Sequence, residues 1–312
     1  MKRKFLTLLL ALSLALTACA SATPTQTPTI ASTTAPIVLT DGLNRQVTLS
    51  APAMRIISLA PSNTEILFAV GASAQMIGRD EFSDYPAEVK SLPSVGGSMG
   101  KYDMEKIASL KPDLVLVAAI NTAEQVKALE DLKLNVYYLA NPVDLKGMFE
   151  NLKIVGKLTG KEQEAAALVD ALKGRVQAIT DKLATTTEQP IVFYELDGSD
   201  TAKPWTAGPG GFVDQLLAMA KGKNAAAGLK SAWAQISQEE LLVQNPQIIL
   251  LGDGAYGVTS AQITSRPGWS AMAAVKDGKI YTFDDNLVSR PGPRLVDGLE
   301  TLAKLLHPEL FK

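Results

Sequence analysis

The chain carries few side chains suited to covalent or metal chemistry. It has one cysteine, Cys19, and one histidine, His307, and it lacks the paired His or Cys spacings of zinc sites. A serine or cysteine nucleophile would therefore have no imidazole base. The glycine-rich stretch 208–211 lacks the Lys and Ser/Thr of a phosphate-binding loop. We predict that the protein is not an enzyme, that it holds no metal or cofactor, and that His307 is a solvated surface residue.

The other chemical feature of the sequence is a repeated acidic phrase. "MEKIASLKPDLVLV" fills residues 104–117 and "QEELLVQNPQIILL" fills residues 238–251, so that Glu105 and Glu239 stand 134 positions apart. Each phrase predicts a short helix that starts with an acid, a turn containing proline, and an apolar strand. A carboxylate in the first turn is favoured by the helix dipole. The repeat indicates either two related lobes or a chance recurrence of a common pattern.

The N-terminus has the pattern of an export signal. Three basic residues at 2–4 precede an apolar stretch at 5–16, which is too short to span a bilayer of about 30 Å as a helix. The Leu-Thr-Ala-Cys that follows resembles a bacterial lipobox, in which the cysteine is lipidated and becomes the mature N-terminus. We predict a lipoprotein signal peptide at 1–18 and lipidation of Cys19. The alternative is an ordinary secretory signal with an incidental cysteine.

Residues 19–37 are predicted to tether the folded part to a membrane. After the cysteine, the segment is rich in Ala, Ser, Thr and Pro, has no charge, and offers almost no large apolar side chain to a core. A cysteine with more than one acyl chain attaches stably to a membrane. The predicted location is extracytoplasmic, at the outer face of the cell membrane or in the periplasm. The near-balanced net charge of −2 indicates no nucleic-acid partner, and we expect a monomer.

The remaining residues alternate between strand and helix patterns. Such alternation predicts an α/β fold with parallel sheets. One long amphipathic stretch, with apolar residues at 3- and 4-residue spacing, interrupts the alternation and predicts a single long helix. The predicted order is an N-terminal α/β lobe at 38–155, a connecting long helix at 156–187 and a C-terminal α/β lobe at 188–312. In the first lobe, Ser62 and Glu65 fit a capping box at a helix start.

Five stretches of the chain resemble a single family. They are "RIISLAPSNTEILFAVG", "SDYP", "LKPDLVLV", "GGFVDQLLAMAKGKN" and "SRPGPRLVDGLE". They look like the substrate-binding proteins of ABC importers for cobalamin, iron-siderophores and haem, and the similarity extends over about 38–312. The resemblance implies two Rossmann-like lobes joined by one long α-helix, with a small-molecule ligand in the cleft between them. It also implies capture and delivery of that ligand to a permease dimer whose ATPase subunits hydrolyse ATP.

Within this family the vitamin B12 (cobalamin) binders look closest, which implies a corrinoid ligand. Their pattern places aromatic residues around the corrin at positions that match Phe82, Trp205 and Trp233. Aromatic rings suit a macrocycle because they bury a large area, and these three stand in polar segments that we predict to be loops. An arginine at the ligand's polar periphery matches Arg290, where it would meet amide or carboxylate oxygens. The other predicted ligand-binding residues are Met99, Asp285 and Asn286.

The sequence departs from the cobalamin pattern at two positions. Met99 stands where that pattern has a tryptophan, and 118–119 (Ala-Ala) replaces another aromatic residue. The family's haem binders offer a tyrosine to iron at the position of Gly96 or Gly97, and Tyr102 does not match it. The resemblance therefore ranks a corrinoid first, a ferric siderophore second and haem third. A sensor or adhesion domain without a transport role is a further alternative.

Glu105 and Glu239 match the paired docking glutamates of the family, one on each lobe. In relatives these engage arginines on two permease subunits, and two equivalent acids suit a two-fold partner. Complementary charges of this kind steer encounter and fix register more than they supply affinity. Glu240 stands beside Glu239 and is able to share its role. The alternative for both is a solvated acid at a helix start.

Overall fold

The structure, a computed structural model, describes residues 35–312, apart from the side chain of Met99. The predicted signal peptide, the lipidation of Cys19 and nearly all of the tether lie outside the described residues. Between residues 35 and 312, no helix combines the length and the apolar character that crossing a membrane requires.

The N-terminal lobe is built on a parallel four-stranded sheet that follows an antiparallel hairpin. Its elements are β1 (Ile37–Thr40), β2 (Gln46–Leu49), β3 (Ile56–Ser58), α1 (Pro61–Ala69), β4 (Met76–Arg79), α2 (Met104–Ser109), β5 (Leu114–Val117), α3 (Ala123–Asp131) and β6 (Val136–Tyr138). The strands of the sheet are ordered β4-β3-β5-β6. Every residue of β3 and β5 is buried, as expected for parallel strands covered on both faces.

Two consecutive helices lead from this lobe to the next, α4 (Leu145–Thr159) and α5 (Glu162–Leu183). Gly160 separates them with a φ of 69°, a left-handed conformation that commonly ends helices. The connecting helix is therefore α5, shorter than the predicted 156–187, and the residues before Gly160 belong to α4. The buried residues of α5 keep the 3- and 4-residue spacing of an amphipathic helix: Ala165, Val169, Leu172, Ile179 and Leu183. The lobe boundaries stay a prediction.

The C-terminal lobe has a larger sheet with an antiparallel edge. Its elements are β7 (Ile191–Asp197), β8 (Trp205–Ala207), α6 (Phe212–Met219), β9 (Lys223–Asn224), β10 (Trp233–Gln235), α7 (Gln238–Gln244), β11 (Ile248–Leu251), α8 (Ser260–Thr264), α9 (Ala273–Lys276), β12 (Ile280–Thr282), α10 (Asn286–Ser289) and α11 (Leu295–Leu306). The order is β10-β8-β7-β11-β12, and β9 also pairs with β7. Strands β7, β11 and β12 are parallel, while β8 runs antiparallel to β7.

The repeated phrase forms corresponding elements in the two lobes. Asp103 caps α2 and Ser237 caps α7, each by accepting a hydrogen bond from a backbone N–H three residues on. After each helix comes a residue in the left-handed conformation, Lys111 with φ 48° and Asn245 with φ 47°. The buried strands β5 and β11 follow, and every one of these features keeps the offset of 134 positions. The prediction of two related lobes is confirmed, in a fold with two Rossmann-like lobes and one long connecting helix.

Two local predictions are wrong. Ser62 and Glu65 do not form a capping box, because α1 begins at Pro61 after Ala60, which makes no side-chain cap. His307 is not a surface residue: it is fully buried at the end of α11, and its Nε2 lies 3.1 Å from the carbonyl oxygen of Ala220. The environment of His307 is set by a contact 87 positions away, which the local sequence does not encode.

Candidate functional site

A cavity of about 260 Å³ lies at the carboxyl edge of the N-terminal sheet, against the C-terminal lobe. The segment after each strand of that sheet contributes at least one residue within three positions of the strand's end: Ala60 after β3, Phe82 after β4, Ala118 after β5 and Asn141 after β6. The C-terminal lobe contributes the segment 289–291. Because the carboxyl ends of parallel strands meet at one edge, this is the usual place for a ligand in an α/β sheet.

The cavity is mostly apolar and smaller than a whole ligand site. Its volume of about 260 Å³ lies below the range of about 300–1,000 Å³ typical of ligand pockets. The lining residues are Ala, Pro, Phe and Ile except for four that add polar groups: Ser62, Asn141, Ser289 and Arg290. A large ligand would therefore place one part here and extend over neighbouring exposed surface.

Phe82 projects from a loop that Asp80 fixes. The ring belongs to the cavity lining and 54% of the residue is exposed. The buried carboxylate of Asp80 accepts hydrogen bonds from the backbone N–H groups of Phe82 at 2.8 Å and Ser83 at 3.1 Å. Burial raises the pKa of Asp80, although these hydrogen bonds oppose the rise. Asp80 was not predicted from the sequence, although its position just after a strand and before a turn is typical of such a role.

Tyr102, near the position at which haem binders offer a tyrosine, is held inside its own lobe. Its hydroxyl donates to the carbonyl oxygen of Leu59 at 3.2 Å and accepts from the Asn121 side chain at 2.7 Å. Burial, followed by the charge of Asp80, raises the pKa of Tyr102. The phenol is therefore engaged and neutral. No set of three or more His, Cys, Asp or Glu side chains among the described residues is arranged to hold a metal.

The backbone near Met99 and the predicted haem position is tightly turned. Met99 lies in a single turn at 98–100, and its side chain lies outside the described part of the structure. Gly96 and Gly97 have φ values of 86° and 120°, which strongly favour glycine. A Cβ atom on Gly97 would lie 3.0 Å from the ring of Tyr102. A side chain at that position would therefore require the loop to change.

Trp205 and Trp233 are exposed on one face of the outermost strand pair. Both were predicted to lie in loops, but they begin β8 and β10, which are too short for an alternating pattern to show. Trp205 pairs with Gln235 and Trp233 with Ala207, so the two indoles are diagonal neighbours on the same face. They are 42% and 43% exposed. Neither lines the cavity, and Trp205 lies at the carboxyl edge beside the end of β7.

Arg290 lines the cavity and joins an ion cluster that connects the lobes. Its Nη1 lies 3.2 Å from Glu65 and 2.7 Å from Asp84, both on the N-terminal lobe. Arg294 makes two further bonds to Glu65, at 2.8 and 2.6 Å, and stacks 4.0 Å above the ring of Tyr85. Partial burial would raise the pKa of Asp84, but the hydrogen bond and charge of Arg290 lower it overall. The cluster thus binds one lobe to the other beside the cavity.

Asp285 and Asn286 already have partners within the C-terminal lobe. The hydroxyl of Tyr194 donates to Asp285, and burial together with this carboxylate raises the pKa of Tyr194. The side chain of Asn286 donates to Asp284 at 2.9 Å. The structure therefore brings Phe82 and Arg290 together at the cavity, while Asp285 and Asn286 begin the short helix α10 that ends beside Arg290.

Several residues of the site were missed by the sequence analysis. Ile120 and Asn141 line the cavity, and Glu65 carries the ion cluster. Ile120 and Asn141 were identifiable in principle, because both follow predicted parallel strands by a few residues. Glu65 was not, because its arginine partners lie 225 and 229 positions away.

Glu105 and Glu239 occupy the same position on corresponding helices. Each is the second residue of its helix, α2 or α7, and each is exposed. Both helices begin at the carboxyl edge of their sheet. The start of α2 is connected through Val95 to the last residue of β4, and α7 follows β10, whose last residue is in register with the end of β7.

Comparison with known proteins gives a consistent result. Residues 56–287 match the family described as periplasmic binding protein. An uncharacterized ABC transporter substrate-binding lipoprotein of Bacillus subtilis (strain 168), YvrC, is 34% identical over 282 residues, which cover 89% of this chain and 87% of that protein.

Solved structures of proteins named for different ligands are similar to the chain to nearly the same degree. The periplasmic vitamin B12 binding protein BtuF of Vibrio cholerae has a TM-score of 0.70 at 26% identity, covering 84% of this chain and 99% of that one. The periplasmic heme-binding protein RhuT of Roseiflexus sp. RS-1 has a TM-score of 0.73 at 26% identity, covering 83% and 99%. The chain therefore belongs to the periplasmic binding protein family, the substrate-binding proteins of ABC importers, which bind a transported solute and catalyse no reaction.

Proposed function

We propose that this substrate-binding protein captures a corrinoid between its lobes and delivers it to an ABC importer. The observation that carries the proposal is a set of exposed aromatic rings: Phe82 at the cavity, Trp205 at the carboxyl edge of the C-terminal sheet, and Trp233 diagonal to Trp205 on the same face of that sheet. Exposed apolar side chains that lie together, unlike ones scattered singly, commonly mark a surface that binds a ligand or a partner. A flat macrocycle offers the area to do so.

The alternative ligands fit these groups less well. The engaged, neutral phenol of Tyr102 argues against iron coordination by that residue, which leaves haem third. A ferric siderophore remains second, because the same cavity and Arg290 suit a compact polar ligand. The similarity to the Vibrio cholerae vitamin B12 binding protein supports the corrinoid, and the similarity to a heme-binding protein supports the alternative. A sensor or adhesion role without transport has no feature of this site in its favour.

Delivery would use Glu105 and Glu239 as one contact from each lobe. Their equivalent helix positions and shared exposure suit a permease built from two related subunits. We also propose that lipidation at Cys19 anchors the protein outside the cytoplasm, a location supported by the lipoprotein description of the Bacillus subtilis relative. A monomer is sufficient for this role, since one chain supplies both acids.

Direct titration tests the ligand. Cyanocobalamin, a panel of ferric siderophores and haemin are each added to the purified protein in a calorimeter, which avoids the strong absorbance of these ligands. We expect cyanocobalamin to bind most tightly. Binding of a siderophore or of haemin without binding of any corrinoid would replace the first proposal by the corresponding alternative. No binding of any of them would reject all three ligand classes.

The indole of Trp205 is expected to supply a large part of the ligand affinity. Replacing Trp205 by Ala should weaken cyanocobalamin binding about 30-fold, as for a central aromatic contact worth about 2 kcal/mol. Trp205→Phe, which keeps a ring, should lose less. Val243→Ala removes an apolar group that is even more exposed (82%), near the far end of α7, and should leave the affinity unchanged. Equal affinities for all three variants would show that the indole does not contact the ligand.

A further inference from the structure

We propose that the cavity accepts an uncharged, hydrogen-bond-accepting face of the ligand and discriminates against a carboxylate at that position. This inference rests on the proposed function and names the chemical class of ligand group that meets Arg290. Its basis is that Arg290, the one charged residue among the described residues of the lining, is already neutralised by the N-terminal lobe.

The ion cluster beside the cavity has no net charge. Arg290 and Arg294 contribute two positive charges, and Glu65 and Asp84 contribute two negative charges, all within direct contact. A ligand carboxylate next to Arg290 would meet two fixed carboxylates as well as the guanidinium. The attraction that an unpaired arginine would offer to an anion is therefore largely cancelled.

The cluster cannot easily exchange its own acid for that of a ligand. The side chain of Glu65 is 1% exposed, and those of Arg294 and Arg290 are 11% and 17% exposed. If a ligand anion displaced Glu65 from Arg290, the buried carboxylate would lose part of its compensation, which is strongly unfavourable. Only Asp84, whose side chain is 48% exposed, could be displaced from Arg290 by a ligand anion at little cost.

Arg290 still has hydrogen-bond donors to offer. Both of its ionic contacts use Nη1, while Nε and Nη2 donate to no acceptor among the described residues. A guanidinium whose charge is balanced but whose N–H groups remain free is suited to neutral acceptors such as amide or hydroxyl oxygens. The amide side chains of a corrinoid have that chemistry.

The facing edge of the C-terminal sheet adds further negative charge. Each of its three parallel strands, β7, β11 and β12, ends in or is followed by an aspartate: Asp197, Asp253, Asp284 and Asp285. The neighbouring Arg266 is paired with the buried Glu195, with one contact at 2.8 Å, so that this pair adds no net positive charge to the edge. An anionic ligand entering the cleft would therefore approach a repulsive edge.

The test uses two corrinoids that differ only in side-chain charge: cobyrinic acid heptaamide, in which every carboxylate is an amide, and cobyrinic acid, which carries the free carboxylates on the same ring. The wild-type protein is expected to bind the amide form at least about a hundredfold more tightly. In Asp84→Asn the ratio of the two dissociation constants should fall about tenfold, because Arg290 regains net positive charge. Asp131→Asn, on the surface of α3 and paired with Lys127, is the matched control and should keep the wild-type ratio.

Equal affinity of the wild-type protein for both corrinoids, or an unchanged ratio in Asp84→Asn, would overturn the charge rule even if corrinoids bind. If no corrinoid binds, the proposed ligand fails, and the charge rule is then tested separately with ferrioxamine, an uncharged or cationic hydroxamate complex, against anionic ferric citrate. Preference for ferrioxamine would support the rule for a different ligand. Preference for ferric citrate would overturn it.

Discussion

Replacing Glu65 by Gln is expected to lower the free energy of unfolding by about 3–5 kcal/mol, the usual result of removing one partner from a buried ion pair. The carboxylate is 1% exposed and accepts from both Arg290 and Arg294. In the variant Arg290 keeps Asp84, but the largely buried guanidinium of Arg294 is left with a neutral acceptor. Urea denaturation monitored by circular dichroism measures the change, with the slope of the transition checked for two-state behaviour.

A matched substitution isolates the effect of burial. Glu300 also contacts an arginine, Arg175, at 2.8 Å and a lysine, Lys304, at 2.7 Å, but its side chain is 33% exposed. Glu300→Gln should therefore cost only about 0–1 kcal/mol, as expected for a solvent-accessible pair. If both variants lowered the free energy of unfolding equally, burial of the Glu65 ion pair between the lobes would not contribute additional stability.

The double variant Glu105→Ala/Glu239→Ala is expected to reduce importer-dependent uptake of cobalamin by about tenfold or more, because both proposed contacts with the permease lose their charge. Each glutamate is exposed at the second position of a short capped helix, so stability should change little. Uptake of radiolabelled cyanocobalamin is measured in cells where this protein is the sole binding protein for the importer. Calorimetry on the purified variant then checks that ligand affinity is retained.

The control for this variant removes two glutamates of the same kind from a different surface of the protein. Glu162 and Glu164 are also exposed first-turn glutamates, but they lie on the connecting helix α5. Glu162→Ala/Glu164→Ala should transport normally. Normal uptake by the Glu105/Glu239 variant, or equal loss in both double variants, would remove the docking role.

The parts of the fold that could be predicted are those encoded by long or repeated patterns in the sequence. The connecting helix α5 shows its apolar spacing over many turns, so a long helix could be predicted there. The predicted range 156–187 also included the last residues of the preceding helix α4. The repeat at an offset of 134 positions predicted corresponding elements in two lobes, and the structure reproduces that offset from cap to strand. Patterns of this kind are encoded locally and need no knowledge of distant contacts.

The parts that the sequence did not predict depend on distant partners or very short elements. Glu65 looked like a capping residue, although its partners lie more than 200 positions away. Trp205 and Trp233 stand in strands of three residues, where neighbouring strands rather than local preference set the conformation. The cavity itself combines loops from four strands with a segment near the C-terminus, so no single stretch of sequence could reveal it.

The attachment of the two exposed acids has a mechanical consequence. Each stands on the helix that leads into a fully buried strand of its own half, so neither can move independently of that half. A rotation of one half about the other consequently alters the span between the carboxylates. A partner that contacts both carboxylates at once would therefore respond to the distance between them. Such a partner could distinguish the ligand-bound protein from the ligand-free one without contacting the ligand.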